Sequence, residues 1–150
     1  MPHGSRFITV MKPTTIAADT SVILNVPDGA TAFHGYCTSG AATGTSPTLN
    51  VEIYHLVPTA VAADTNGLDS TDHAYANMTA IGYGQLTQFT GAATLIFAAV
   101  GSGNYEETAA LPTAGSFRNG PIESIWKVTF NVGGTNPSFA GVSMVVAFNP

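Results

Sequence analysis

Four histidines, one cysteine and nine carboxylates are the side chains with which this chain of 150 residues could carry out chemistry. Nucleophilic catalysis needs a Ser or Cys activated by a His, itself oriented by a carboxylate. These residue types occur, but no Gly-x-Ser-x-Gly elbow presents a serine. Cys37 closes Phe33-His34-Gly35-Tyr36-Cys37, where strand alternation sets it on one face with Phe33 and Gly35. It reads as a buried structural thiol. His3, His34, His55 and His73 are scattered, without the H-E-x-x-H or paired spacing of a zinc site. Only the symmetry axis of an oligomer would gather copies of one of them. Asp64, Asp69 and Asp72 fall within one short stretch, and Asp-rich turns suit Ca²⁺, which takes about six to eight oxygen ligands. The EF-hand order and its terminal Glu are missing, so a solvated loop rich in Asx turns is expected, with calcium as the alternative. Asp69 and Asp72 lack the aromatic sugar platform of a glycosidase, and acid pairs normally come from separate strands. Gly82-Tyr83-Gly84 and Gly101-Ser102-Gly103 do not complete a dinucleotide fingerprint. The Asn77-Met78-Thr79 sequon matters only in a secreted eukaryotic protein. No catalytic, cofactor-binding or metal site is expected.

The elements that would position these groups are strands. Strong helix formers other than Ala are sparse, and Gly or Pro interrupts nearly every window. Short β-branched and aromatic runs recur instead at 7–11, 21–26, 32–38, 49–57, 94–100, 122–132 and 139–148. Alternation is clean in Ser21-Val22-Ile23-Leu24-Asn25-Val26 and again from Trp126 to Val132. In the second run Trp126, Val128 and Phe130 share one face and are the expected core, with Lys127, Thr129 and Asn131 opposite. Turn signals at Pro27-Asp28-Gly29, Asn66-Gly67, Gly101-Ser102-Gly103 and Gly133-Gly134 separate such runs. The pattern predicts an all-β fold, an antiparallel β-sandwich that is jelly-roll-like, in one domain over 16–150. Residues 1–15 read either as an N-terminal arm or as the first strand. Stretches 58–80 and 101–120 lack periodicity and are expected as surface excursions, functional or ordered against a partner.

Composition narrows the partners. Only 9% of residues are charged, with 4 Lys+Arg against 9 Asp+Glu and a net charge of −5. So few cations cannot build a phosphate-neutralising stripe, which argues against nucleic acid, and the negative balance argues against an anionic membrane surface. No apolar run approaches transmembrane length, and no signal-peptide pattern is present. A single cysteine excludes an internal disulfide framework. Sparse charge at a mean hydropathy of +0.22 suits a subunit whose surface is partly covered in an assembly, although a compact secreted β-domain would share it.

The most specific feature is an internal echo. Gly44-Thr45-Ser46-Pro47-Thr48-Leu49 is matched by Gly134-Thr135-Asn136-Pro137-Ser138-Phe139. Gly44 and Gly134 permit φ > 0 at a reversal, and Pro47 and Pro137 block an extra ladder bond at a strand start. The expected structure is two equivalent hairpins of a pseudo-repeated sandwich, or two ordinary hairpin turns that happen to agree.

These segments, with Gln85-Leu86-Thr87-Gln88-Phe89-Thr90-Gly91 between them and Trp126-Lys127-Val128-Thr129-Phe130-Asn131-Val132 leading into the second copy, carry a resemblance. Their order and spacing over about 33–148 are similar to a signature of small structural proteins of tailed bacteriophages. Where such proteins often carry a tryptophan-bearing segment after the first motif, this chain has Tyr54-His55-Leu56-Val57. The resemblance implies a non-enzymatic capsid decoration (cement) protein, made in the host cytoplasm and bound to the major capsid protein on the virion surface. It also implies a homo-oligomer, a trimer spanning local threefold points. A neck or tail subunit, or a host-surface or carbohydrate-binding β-sandwich module, are the alternatives. Phe7, Ile8 and Val10, beside Arg6 and Lys12, are the candidate assembly contacts of the N-terminal segment.

Overall fold

A computed structural model gives the architecture, and the structure describes residues 4–58, 78–101, 110–118, 120 and 122–150. Among the described residues, eight strands follow in chain order: β1 (Arg6–Ile16), β2 (Thr20–Asn25), β3 (Ala32–Ser39), β4 (Ala42–Pro58), β5 (Met78–Gln85), β6 (Ala93–Val100), β7 (Ser116–Phe117) and β8 (Ile125–Asn149). All pairings are antiparallel.

The organising element is β8. At 25 residues it is far longer than a usual strand, and it belongs to two sheets. β3 and β4 run end to end beside it, from Ala32 opposite Asn149 to His55 opposite Trp126. This ribbon bends in the middle. Its one half, 139–149 with β3, is flanked by β1 and β6 and makes sheet A, in the order β1, β8, β3, β6. Its other half, 125–132 with 49–58 of β4, is flanked by β2 and β5 and makes sheet B, with β7 on the edge of β5. Counting β8 as two strands and leaving β7 aside, the sheets run first-eighth-third-sixth and second-seventh-fourth-fifth. That is jelly-roll wiring, and the two sheets curl into a nearly closed barrel. The halves of the chain are pseudo-equivalent. Ile16 of the first half pairs with Phe139 of the second, as Phe89 of the second pairs with Leu49 of the first.

The echo motifs sit at the bend, and they correct the expected hairpins. Neither copy reverses the chain. They lie within β4 and β8 and face one another, with Thr45 opposite Thr135 and the register shifting on either side. Gly44 (φ 105°) and Ser46 (φ 50°) on one strand mirror Gly134 (φ 102°) and Asn136 (φ 47°) on the other. The result is a symmetric pair of bulges, which bends both strands together and lets the ribbon pass from one sheet to the next. Gly133-Gly134 is therefore no turn, and the runs expected at 122–132 and 139–148 are one strand. The excursion expected over 58–80 is bounded by β4, which runs to Pro58, and β5, which starts at Met78; β7 falls within the one expected over 101–120.

Alternation explains the core. Trp126, Val128 and Phe130 of β8 are completely buried, as are Leu49, Val51 and Ile53 of β4. Trp126 lies edge-on to Phe33 at 4.9 Å and to Phe148 at 5.0 Å between ring centroids, so sheet B meets sheet A through these rings. Phe97 of β6 stacks with Phe117 of β7 at 5.8 Å where the barrel nearly closes. Edge and offset contacts of this kind add to simple area burial.

Candidate functional site

The outward faces of the two sheets differ in chemistry. In sheet B, the residues that point away from the core are mostly polar, with Ile23 of β2, 38% exposed beside Lys127, the large apolar exception. Glu52 on β4 accepts hydrogen bonds from the Tyr54 hydroxyl (2.8 Å), the Thr129 hydroxyl (3.2 Å) and the Asn131 amide (3.1 Å). Lys127 is the register partner of Tyr54, and the Gln88 amide donates to Asn50 at 3.0 Å. The Tyr54 phenol is pushed up to about 12, first by burial and then by its hydrogen bond to, and the charge of, Glu52. This network is largely satisfied within itself.

In sheet A, the outward residues are mostly apolar, with Thr9, His34 and Thr94 among them. Register sets them in rows: Phe7, Ala147, His34 and Ala98 in one, then Thr9, Val145, Tyr36 and Ile96 in the next. Phe7 is 72% exposed, Ile96 84% and Tyr36 44%, an unusual amount of large apolar side chain in one place. Between Phe7 on β1 and Tyr36 and Ile96 on β3 and β6 lies a groove of about 420 Å³, floored by Val145 and Ala147. Among the described residues, no Asp, Glu, Lys or Arg lines it. An uncharged apolar surface with projecting aromatic and branched side chains can desolvate against a protein partner without stranding an ion.

The residues singled out from sequence are dispersed. Phe7 stands on this face, Ile8 is half-buried, and Val10 is a core residue, so Val10 is withdrawn as an assembly contact. The segment that carries them is β1, paired with β8 from Arg6 opposite Phe148 to Ile16 opposite Phe139, within the chain's own sheet. Gly44, Pro47, Gly134 and Pro137 shape the bend, remote from the groove lining. Cys37 is fully buried, and burial pushes its thiol up to about 12. His55 is buried and stacks on Tyr83 at 4.0 Å, and desolvation lowers it to about 4. His34 is exposed on the groove, where its Nδ1 lies 3.4 Å from the Asn149 amide. Among the described residues no three His, Cys, Asp or Glu side chains gather as metal ligands. His3, His73, the stretch 64–72 with its three aspartates and Asn77 lie outside the described residues.

Tyr36 and Ile96 were not among the candidates. The signal was present: each occupies the outward phase of a strand whose inward phase is already apolar, so apolar residues on both phases imply a second covered face. Comparison with known proteins gives no matching family model, no similar curated protein and no similar solved structure.

Proposed function

We propose that this chain is a non-enzymatic structural protein of a tailed-phage virion, a capsid decoration subunit that binds the major capsid protein and stabilises the assembled shell. The observation that carries the reading is the largely apolar groove on the outward face of sheet A, with Phe7, Tyr36 and Ile96 projecting beside it. The resemblance of the Gly44 and Gly134 motifs to those of phage structural proteins supplies the context. Such a face suits a clamp. Contacts that span neighbouring shell subunits exist only in the assembled state, and therefore stabilise that state by linkage.

Jelly rolls serve in capsids and in lectins alike, so the wiring does not choose between them. The distribution of side chains favours protein docking. A sugar site wants free hydroxyl-binding polar groups beside an exposed ring, whereas the Tyr54 hydroxyl, Thr129 and Asn131 on sheet B are already hydrogen-bonded to Glu52, and the most exposed ring, Phe7, lies on sheet A. Cosedimentation of the purified chain with undecorated capsids tests the reading. The wild type should pellet with the shells, and Phe7→Ser with Tyr36→Ser should abolish this while leaving the melting temperature unchanged. A wild type that stays in the supernatant, or a double variant that binds equally well, would overturn it.

A further inference from the structure

We propose that β6 is a self-association edge, through which two copies of this chain pair antiparallel about a twofold axis at Ile96. Gly101 N–H donates to the Thr31 carbonyl at 2.7 Å, and the β3–β6 register continues from there with Phe33 opposite Ala99 and Gly35 opposite Phe97. In an antiparallel ladder, hydrogen-bonded and non-hydrogen-bonded pairs alternate. The backbone groups of Ala93, Leu95, Phe97 and Ala99 therefore point to β3, and those of Thr94, Ile96 and Ala98 point to the outer edge. Among the described strands β6 is hydrogen-bonded to β3 alone.

Natural sheets defend such edges with charge, proline, bulges or short length. The other edges here follow that rule. β1 carries Arg6, Lys12 and Pro13 and shifts register repeatedly, and β7 is two residues long. β2 lies beside β1 across the other closure of the barrel, and β5 is covered by the 110–118 segment, whose Arg118 donates to the Gly82 carbonyl. β6 has none of these devices in its own sequence, and across the near closure of the barrel it faces a cleft lined by Leu86, Thr87, Gly115 and Phe117, with no strand hydrogen-bonded to it there among the described residues. Its eight residues, Ala-Thr-Leu-Ile-Phe-Ala-Ala-Val, contain no charge, no proline and no glycine.

The occupant that fits is a second β6. Self-pairing repeats every residue across the axis, so any charge would face its own copy; this strand has none. With Ile96 on the axis, Ile96 meets its counterpart and Thr94 meets the partner's Ala98. The outward-pointing groups of these residues then form about six backbone hydrogen bonds. The same register places the two Ile96 side chains, 84% exposed in one copy, against each other, and joins the Val145–Tyr36–Ile96 rows into one apolar strip. An open edge yields a twofold, in place of the threefold clip that the motif resemblance implies. Edge pairing buries little area, so the dimer belongs to the weak class of specific interfaces. It requires no capsid, and its failure would leave the shell-binding reading standing.

Sedimentation equilibrium of the full chain decides the matter. The wild type should show a concentration-dependent monomer–dimer equilibrium at or below about 1 mM, the weak end of specific association. Ile96→Lys sets like charges on the axis and should weaken the dimer at least about tenfold. Ala98→Pro removes an edge N–H that β3 does not use, and should do the same. If that proline impairs folding, Ile96→Lys, at an exposed position, still decides. Phe7→Ser, on the far strand of the same face, should leave the dimer intact. A wild type monomeric at about 1 mM, a trimer, or a dimer that survives Ile96→Lys would overturn the proposal, as would one abolished by Phe7→Ser.

Discussion

Replacing Gly44 or Gly134 by alanine probes the bend on which both sheets depend. Two effects add. The backbone stands at φ 105° and 102°, which L-residues rarely adopt, and this alone costs about 1 kcal/mol or more. A Cβ on Gly44 would meet the Asn136 and Thr135 carbonyl oxygens at 2.5 and 2.7 Å, and one on Gly134 the Ser46 and Thr45 oxygens at 2.6 and 2.7 Å. These are backbone atoms of the opposing bulge and cannot rotate away, so the strand must shift, at a further cost of about 1–3 kcal/mol. Each substitution should destabilise by about 2–4 kcal/mol, a fall in Tm of roughly 4–16 °C for a domain of this size. Two controls separate the causes. Gly141 has φ 59° with open space around a Cβ, so Gly141→Ala should cost only about 1 kcal/mol. Gly91 has open space and no positive φ, so Gly91→Ala should lie within about 0.5 kcal/mol of the parent. Because the two bulges share contacts, the Gly44→Ala, Gly134→Ala pair should lose less than the sum of its parts. Thermal and urea unfolding measure all of these. If Gly44→Ala melts with Gly141→Ala, the facing-bulge explanation is wrong.

Three further outcomes are expected. Phe130→Ala removes a fully buried ring in the sheet B half of β8 and should cost about 3–5 kcal/mol in urea unfolding, whereas a variant melting like the parent would place that strand face wrongly. His55 is held near 4 in the fold against about 6.5 when unfolded, so its neutral form is the folded one. Its contribution is complete above about pH 6.5 and is lost as pH falls toward 4, reaching about 3 kcal/mol, and His55→Phe should flatten that part of the stability–pH profile. Cys37, buried with its thiol pushed up to about 12, should resist aromatic disulfide reagents at pH 8 in the native protein and react at once in denaturant; fast native labelling would contradict its placement.

Much of the strand content was legible because the half-buried strands alternate strictly. Trp126 to Val132 and Ser21 to Val26 show their inward faces without reference to any partner. β5 was not legible. Met-Thr-Ala-Ile-Gly-Tyr-Gly-Gln reads as broken by Gly82 and Gly84, yet both glycines are there for packing. A Cβ on Gly82 would strike the Ala110 carbonyl at 2.6 Å, and one on Gly84 would run into the Phe117 ring, so the 110–118 segment can cross β5 only over glycine. The echo was visible, but its meaning was not. Gly at φ > 0, a hydroxyl or amide and a proline serve a hairpin and a bulge equally well; which one forms depends on whether residue 45 finds residue 135, a pairing no local pattern encodes. That the candidate Phe7 shares a face with Tyr36 and Ile96 was hidden for a related reason. Phe7, Tyr36 and Ile96 become one surface only after β1, β3 and β6 are set around β8.

The central claim, that this chain is a shell-bound virion component, is tested most directly by quantitative mass spectrometry of purified virus particles from its source. A decoration protein should be present at hundreds of copies per particle, in fixed ratio to the major capsid protein. Six to twelve copies would assign it to the neck or tail, and absence from the particle would contradict the virion reading altogether.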